Sequence, residues 1–272
     1  LYKEDAKYEK YLRELDIHLI SNPAIALDRV TVLVRDMADV AIHNVDAAFK
    51  QIFNYDAERK ERIEEREVLL DRMADASNRY LMAITPYMTL ESQNYTQSFL
   101  VKALNDFERI GDHAVNVVNE FYDVRNNDKD FSDVAMKELE VVIKAISHIL
   151  QLTYDAFKNN DVQLAKKVEP MEEVIDALVD TVKNKHIHRM TQHTCDIYSG
   201  IHFENILSNL ERISDLCSAL AVAILSKNNP QILGREHEYI HTLHHSGNPQ
   251  YIAEYNARYD EYFKMLEAAK TD

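Results

Sequence analysis

Four pairs of acidic residues pose the first chemical question. Glu67 and Asp71, Glu108 and Asp112, Glu172 and Asp176, and Glu211 and Asp215 each stand four positions apart. On a helix that spacing places both carboxylates of a pair on one face, with Cβ atoms about 5–6 Å apart. Two such helices side by side bring four carboxylates together. An oxygen-rich set of this kind suits hard or borderline divalent and trivalent cations. Left alone, the four charges repel one another, so a cation or raised pKa values must compensate. The plainer assignment has these acids solvated or paired with Arg66, Arg72, Arg109 and Arg212, since acid pairs on helices are common.

The pairs recur in a fixed order. Residues 105–116 read NDFERIGDHAVN and residues 208–219 read SNLERISDLCSA, sharing Glu-Arg-Ile-(Gly/Ser)-Asp at an offset of 103 residues. Upstream, EVLLD at 67–71 matches EEVID at 172–176 at an offset of 105. Two matches in one order at nearly one offset denote a duplication, each copy a three-helix unit with two acid pairs. In the first copy Leu100, Leu104, Phe107, Gly111, Ala114 and Val118 step along one apolar stripe. Leu207, Leu210, Ser214, Cys217 and Ala221 form its counterpart. The neighbouring acids lie about 100° off these stripes, so they border the core. Gly111 and Ser214 are small enough to let an adjacent helix come close.

Helices must carry these pairs. Among 272 residues only 4 are Gly and 5 are Pro, too few for the turns of a sandwich, barrel or doubly wound sheet. The fold class expected is all-α: a tandem pair of three-helix bundles with extra N- and C-terminal helices. Asn22 is read as a cap before Pro23, opening a long amphipathic helix through Ile25, Val32, Val40 and Phe49. Further helices are expected over about 56–83, 95–122, 133–157, 162–191 and 201–226. The polar run 91–94, the linker 126–130 and a loop at 193–200 separate them, and Ser132 or Asp133 caps the helix after the linker. A short helix and a last one follow residue 230, with Ile252, Tyr255, Tyr259, Tyr262 and Leu266 on one face. The organisation expected is a linker helix over 1–21, repeats over 22–126 and 127–228, and a helical tail over 229–272.

Charge narrows the partners. Asp and Glu number 46 against 31 Lys and Arg, a formal charge of −15, which disfavours nucleic acid and anionic membrane surfaces alike. Cys195 and Cys217 have no metal-ligand spacing and give no disulfide framework, which points to a reducing, cytoplasmic setting. Residues 237–241 read HEYIH and fit HExxH. No strand-rich segment precedes them to hold a peptide, so a solvated helix is favoured over a zinc protease, with His237, His241, His244 and His245 left as a weak adventitious site. His186, His188 and His193 are read as structural residues near a helix C-terminus. The sequence contains no nucleophile elbow and no Gly-rich phosphate loop.

The NDFERIGDHAVN and SNLERISDLCSA segments, each preceded by its EVLLD or EEVID about 40 residues earlier, resemble the PhoU family across about residues 22–228. The resemblance implies paired three-helix bundles whose E(D)xxxD motifs bind multinuclear iron or zinc clusters. It assigns Glu67, Asp71, Glu108, Asp112, Glu172, Asp176, Glu211 and Asp215 as ligands. It implies no catalysis. Departures fall in the second copy, where Asn209 replaces the acid seen at Asp106, Ser214 the glycine seen at Gly111, and Leu216 the histidine seen at His113. Leu15-Asp16 with Asn22–Leu27, and the tail around Arg235–Tyr239, look like the flanks of the PhoU-like region of sodium/phosphate cotransporter proteins. With Leu at position 1, the expectation is a cytosolic regulatory domain at the inner face of the membrane, partnered in cis by a membrane transporter domain. The alternative is a free-standing PhoU-type regulator of a phosphate ABC transporter and its sensor kinase. An alternative of another class is a di-metal carboxylate enzyme. A homo-oligomer is compatible with each.

Overall fold

A computed structural model of the chain describes residues 2–192, 195–229 and 231–269. Among them the regular structure is helical, with no strand. The helices are α1 (Tyr2–Glu14), α2 (Pro23–Phe53), α3 (Ala57–Ile84), α4 (Glu91–Asn126), α5 (Asp133–Asn159), α6 (Val162–Ala165), α7 (Val168–Thr191), α8 (Ile197–Asn228), α9 (Glu236–His245) and α10 (Pro249–Ala268). None is long and apolar enough to cross a membrane.

Local chemistry sets the ends. Asp56 accepts the Arg59 N–H at 2.7 Å to open α3, and Ser132 accepts the Ala135 N–H at 3.2 Å to open α5. Asn22 precedes Pro23, yet its side chain makes no capping hydrogen bond. The polar run 91–94 is helix and not linker: Gln93 Oε1 accepts the N–H groups of Thr89 and Leu90 and fixes the start of α4 at Glu91. Similarly, Asp196 accepts the Ser199 N–H at 3.1 Å and starts α8 at Ile197, inside the segment expected as loop. The helix expected over 162–191 is two, α6 and α7. Pro170 has no N–H to donate and fits only a first turn, so the chain restarts just before it.

The chain divides into two compact units. One extends to Val115 and takes in Lys227 and its neighbours; the other runs from Asn116 to Ser226 and resumes at Gln231. In the first, α2 packs along α3, and α1 lies against both. The Tyr80 hydroxyl donates to the Asp16 carbonyl at 2.8 Å, and the Arg72 guanidinium lies 3.7 Å from the Tyr8 ring centroid. In the second, α5 packs along α7, and α10 lies against both. Each repeat therefore carries one terminal helix on the face made by its first two helices.

The apolar stripes form the cores. Leu100, Leu104, Phe107, Ala114 and Val118 are buried on α4, and Leu207, Leu210, Ser214, Cys217 and Ala221 on α8. Gly111 answers to its proposed purpose, because a Cβ there would meet Leu70 Cδ1 of α3 at 2.6 Å. On α2, by contrast, Ile25 and Val32 are exposed while Ala26, Val30, Leu33, Val34 and Met37 are buried. On α10 Tyr251, Tyr262 and Leu266 face inward and Ile252 and Tyr259 outward, so the five-residue face expected there is split.

Candidate metal centres

The first centre joins α3 to α4. One carboxylate oxygen each from Glu67, Asp71 and Asp112 lie within 4.8 Å of one another. Glu108 is the fourth member, close enough to Asp71 and Asp112 for both to raise its pKa. Burial, then the charges of Asp112 and Asp71, pushes Glu108 up to about 7. Burial raises Glu67 as well, with Asp71 and Asp112 adding to it, and raises Asp112, where Asp71 adds to it while His113, Glu108 and Arg109 offset part of the rise.

The second centre joins α7 to α8 in the same way. Carboxylate oxygens of Glu172, Asp176 and Asp215 lie within 4.8 Å of one another, and these three correspond to Glu67, Asp71 and Asp112 of the first. Burial is the largest cause that pushes Glu172 up to about 9, followed by Asp176, Glu169, Asp215 and Glu173. Asp176 is pushed up to about 6 by burial and then by Glu211 and Asp215. Its Oδ1 is buried and has no hydrogen-bond partner. Glu211 stands beside them with one oxygen tethered, since Lys183 Nζ donates to its Oε2 at 2.5 Å.

The donor set is of the kind that could hold a hard or borderline metal ion. Every donor is a carboxylate oxygen, burial and then neighbouring charges raise the pKa of Glu67, Glu108, Asp112, Glu172 and Asp176, and Asp176 Oδ1 is orphaned. The arginine assignment accounts for less. Arg212 stands 3.5 Å from Asp215 across an exposed gap, and the Arg72 guanidinium covers the Tyr8 ring. The exchange of Asp106 for Asn209 falls outside both triads, because Asp106 pairs with Lys102 at 3.1 Å.

Other chemistry-bearing residues resolve differently. His244 is held, not solvated: its Nε2 faces Glu169 Oε1 at 2.9 Å and its Nδ1 faces Glu173 Oε1 at 3.1 Å. Ser218 donates to the other Glu169 oxygen, and the Tyr251 hydroxyl donates to Glu173 Oε2 at 2.8 Å. Tail residues thus grip α7 beside Glu172. His241 and His245 stack on each other at 4.4 Å. His186 is structural, with Nε2 at 3.2 Å from the Gly200 carbonyl; His193 lies outside the described residues. The tail's grip left no pattern to read, because its partners lie 75 and 78 residues apart. Lys183 did leave one, standing seven residues beyond Asp176 on the same helical face.

Duplicated helical bundles, each with a carboxylate cluster between its second and third helices, define the class of this protein. The PhoU domain model matches residues 34–121 and again 139–224, and the chain belongs to that family. It is 23% identical over 211 residues to a phosphate-specific transport system accessory protein PhoU homolog of Xylella fastidiosa, covering 76% of this chain and 87% of that one. A Thermotoga maritima homolog of the same description is 25% identical over 138 residues, covering 49% of this chain and 59% of that one. Among solved structures, PhoU from Pseudomonas aeruginosa matches with a TM-score of 0.70 at 19% identity, over 75% of this chain and 97% of that one. The phosphate transport system regulatory protein PhoU from Streptococcus pneumoniae matches with a TM-score of 0.67 at 15% identity, over 77% and 98%.

Proposed function

We propose that this chain is a non-catalytic accessory regulator of a phosphate transport system, acting at the cytoplasmic side of the membrane. The observation that carries the reading is the repeated triad, Glu67/Asp71/Asp112 and Glu172/Asp176/Asp215, set between corresponding helices of two PhoU repeats. The names of the matched relatives, accessory and regulatory proteins of phosphate transport, favour this over the cotransporter domain and over a di-metal enzyme. Glu67, Asp71, Glu108 and Asp112 would hold metal in one repeat, and Glu172, Asp176, Glu211 and Asp215 in the other. A bound iron or zinc cluster would supply the positive charge that these carboxylates need in order to ionise together. The chain's own part is to present the carboxylates from rigid helices and to offer the surface of each repeat to the transporter or its sensor.

Phosphate uptake by cells lacking the gene tests the reading. Loss should release uptake from control by external phosphate, and the wild-type gene should restore it. A variant with Asp71→Asn, Asp112→Asn, Asp176→Asn and Asp215→Asn should fail to restore control. Uptake that responds to phosphate equally with and without the gene would refute the assignment.

A further inference from the structure

The two centres share a plan but not a charge. The offset of 105 residues that pairs Glu67 with Glu172 and Asp71 with Asp176 pairs Asn78 with Lys183. Asn78 is neutral and donates from Nδ2 to Asn105 Oδ1 of α4 at 3.1 Å. Lys183 reaches α8 from the same place on α7 and donates to Glu211 Oε2 at 2.5 Å, with 20% of its side chain exposed. Glu108 is the counterpart of Glu211 in the first centre. A half-buried ammonium is screened much less than an exposed one, so it acts on the whole second cluster. Arg212, a second cation beside that cluster, has 66% of its side chain exposed and stands farther off, at 3.5 Å from Asp215.

We infer that Lys183 is a built-in counter-cation of the second centre, which makes that centre the weaker of the two for metal. The ammonium occupies one oxygen of the fourth carboxylate and repels an incoming divalent ion. The first centre, with Asn78 at the same position, keeps four carboxylates for the metal. Metal occupancy of the two repeats therefore separates with concentration: the first fills before the second. This inference rests on the reading of the triads as metal sites.

The test uses the full chain, stripped with chelator and titrated with Zn2+ against a chromophoric competitor, with metal content measured after desalting. Asp71→Asn with Asp112→Asn isolates the second centre, and Asp176→Asn with Asp215→Asn isolates the first. The isolated second centre should bind Zn2+ on the order of tenfold or more weakly than the isolated first. Lys183→Asn should recover most of that factor, Lys183→Arg should recover none, and Asn78→Lys should weaken the first centre. Circular dichroism checks that each variant retains its helices, and Lys183→Met, neutral and of similar length, supplies the comparison if Lys183→Asn unfolds. Equal affinities of the two isolated centres, or an unchanged second centre in Lys183→Asn, would overturn the inference and leave the metal reading standing. Failure of the wild-type chain and of both isolated centres to take up Zn2+ would overturn the metal reading and the inference with it.

Discussion

Glu172 makes the metal-free protein a test of the electrostatics. Its folded pKa lies at about 9 against 4.5 for an ordinary glutamate, chiefly through burial. Between pH 5.5 and 7.5 the folded chain keeps a proton there that the unfolded chain has released. The folded state thus binds more protons, so stability falls as pH rises. One such group removes about 1.4 kcal/mol per pH unit, and at most about 3 kcal/mol over this range. Asp176 and Glu108, also raised, act in the same direction. Urea denaturation of chelator-treated protein at both pH values measures the slope, and Glu172→Gln should flatten it while raising stability at pH 7.5. In metal-loaded protein the dependence should reverse, because metal displaces the protons. An identical slope in wild type and Glu172→Gln would refute the assignment of the proton to this cluster.

Two further outcomes follow from packing and from the tail. Gly200→Ala should lower stability by about 1–3 kcal/mol, since a Cβ there would meet Met190 Sδ at 2.4 Å and His186 Nε2 at 3.2 Å; thermal melting checks it. His244→Ala with Tyr251→Phe should weaken the tail by about 1–3 kcal/mol by leaving Glu169 and Glu173 without those partners. Limited proteolysis should then cut faster at Ser246–Pro249, and cleavage as slow as in wild type would show that the grip carries no energy.

Much of the architecture was legible because it is periodic. Apolar stripes at helical spacing on α4 and α8 are buried as their pattern requires, and the two segment matches expose the duplication. The acid pairs were legible for the same reason: spacing of four on a helix, beside a core stripe, sends carboxylates toward the adjacent helix. What escaped depends on single polar contacts. Gln93 and Asp196 start helices inside segments whose composition resembles loop, and Pro170 splits one periodic stretch into two. The grip of His244 and Tyr251 on α7 joins residues far apart in the chain, so no local pattern announces it. On α10, tertiary packing chose Tyr251 over Ile252 and Tyr259, which an isolated helical wheel does not distinguish.

Metal content tests the central claim most directly. The full chain, loaded with zinc or iron and desalted, is weighed for metal against the variant carrying Asp71→Asn, Asp112→Asn, Asp176→Asn and Asp215→Asn. The account predicts retained metal on the wild-type chain and its loss from the variant, with helical content unchanged. Equal metal on both chains, or none on the wild type, would contradict it.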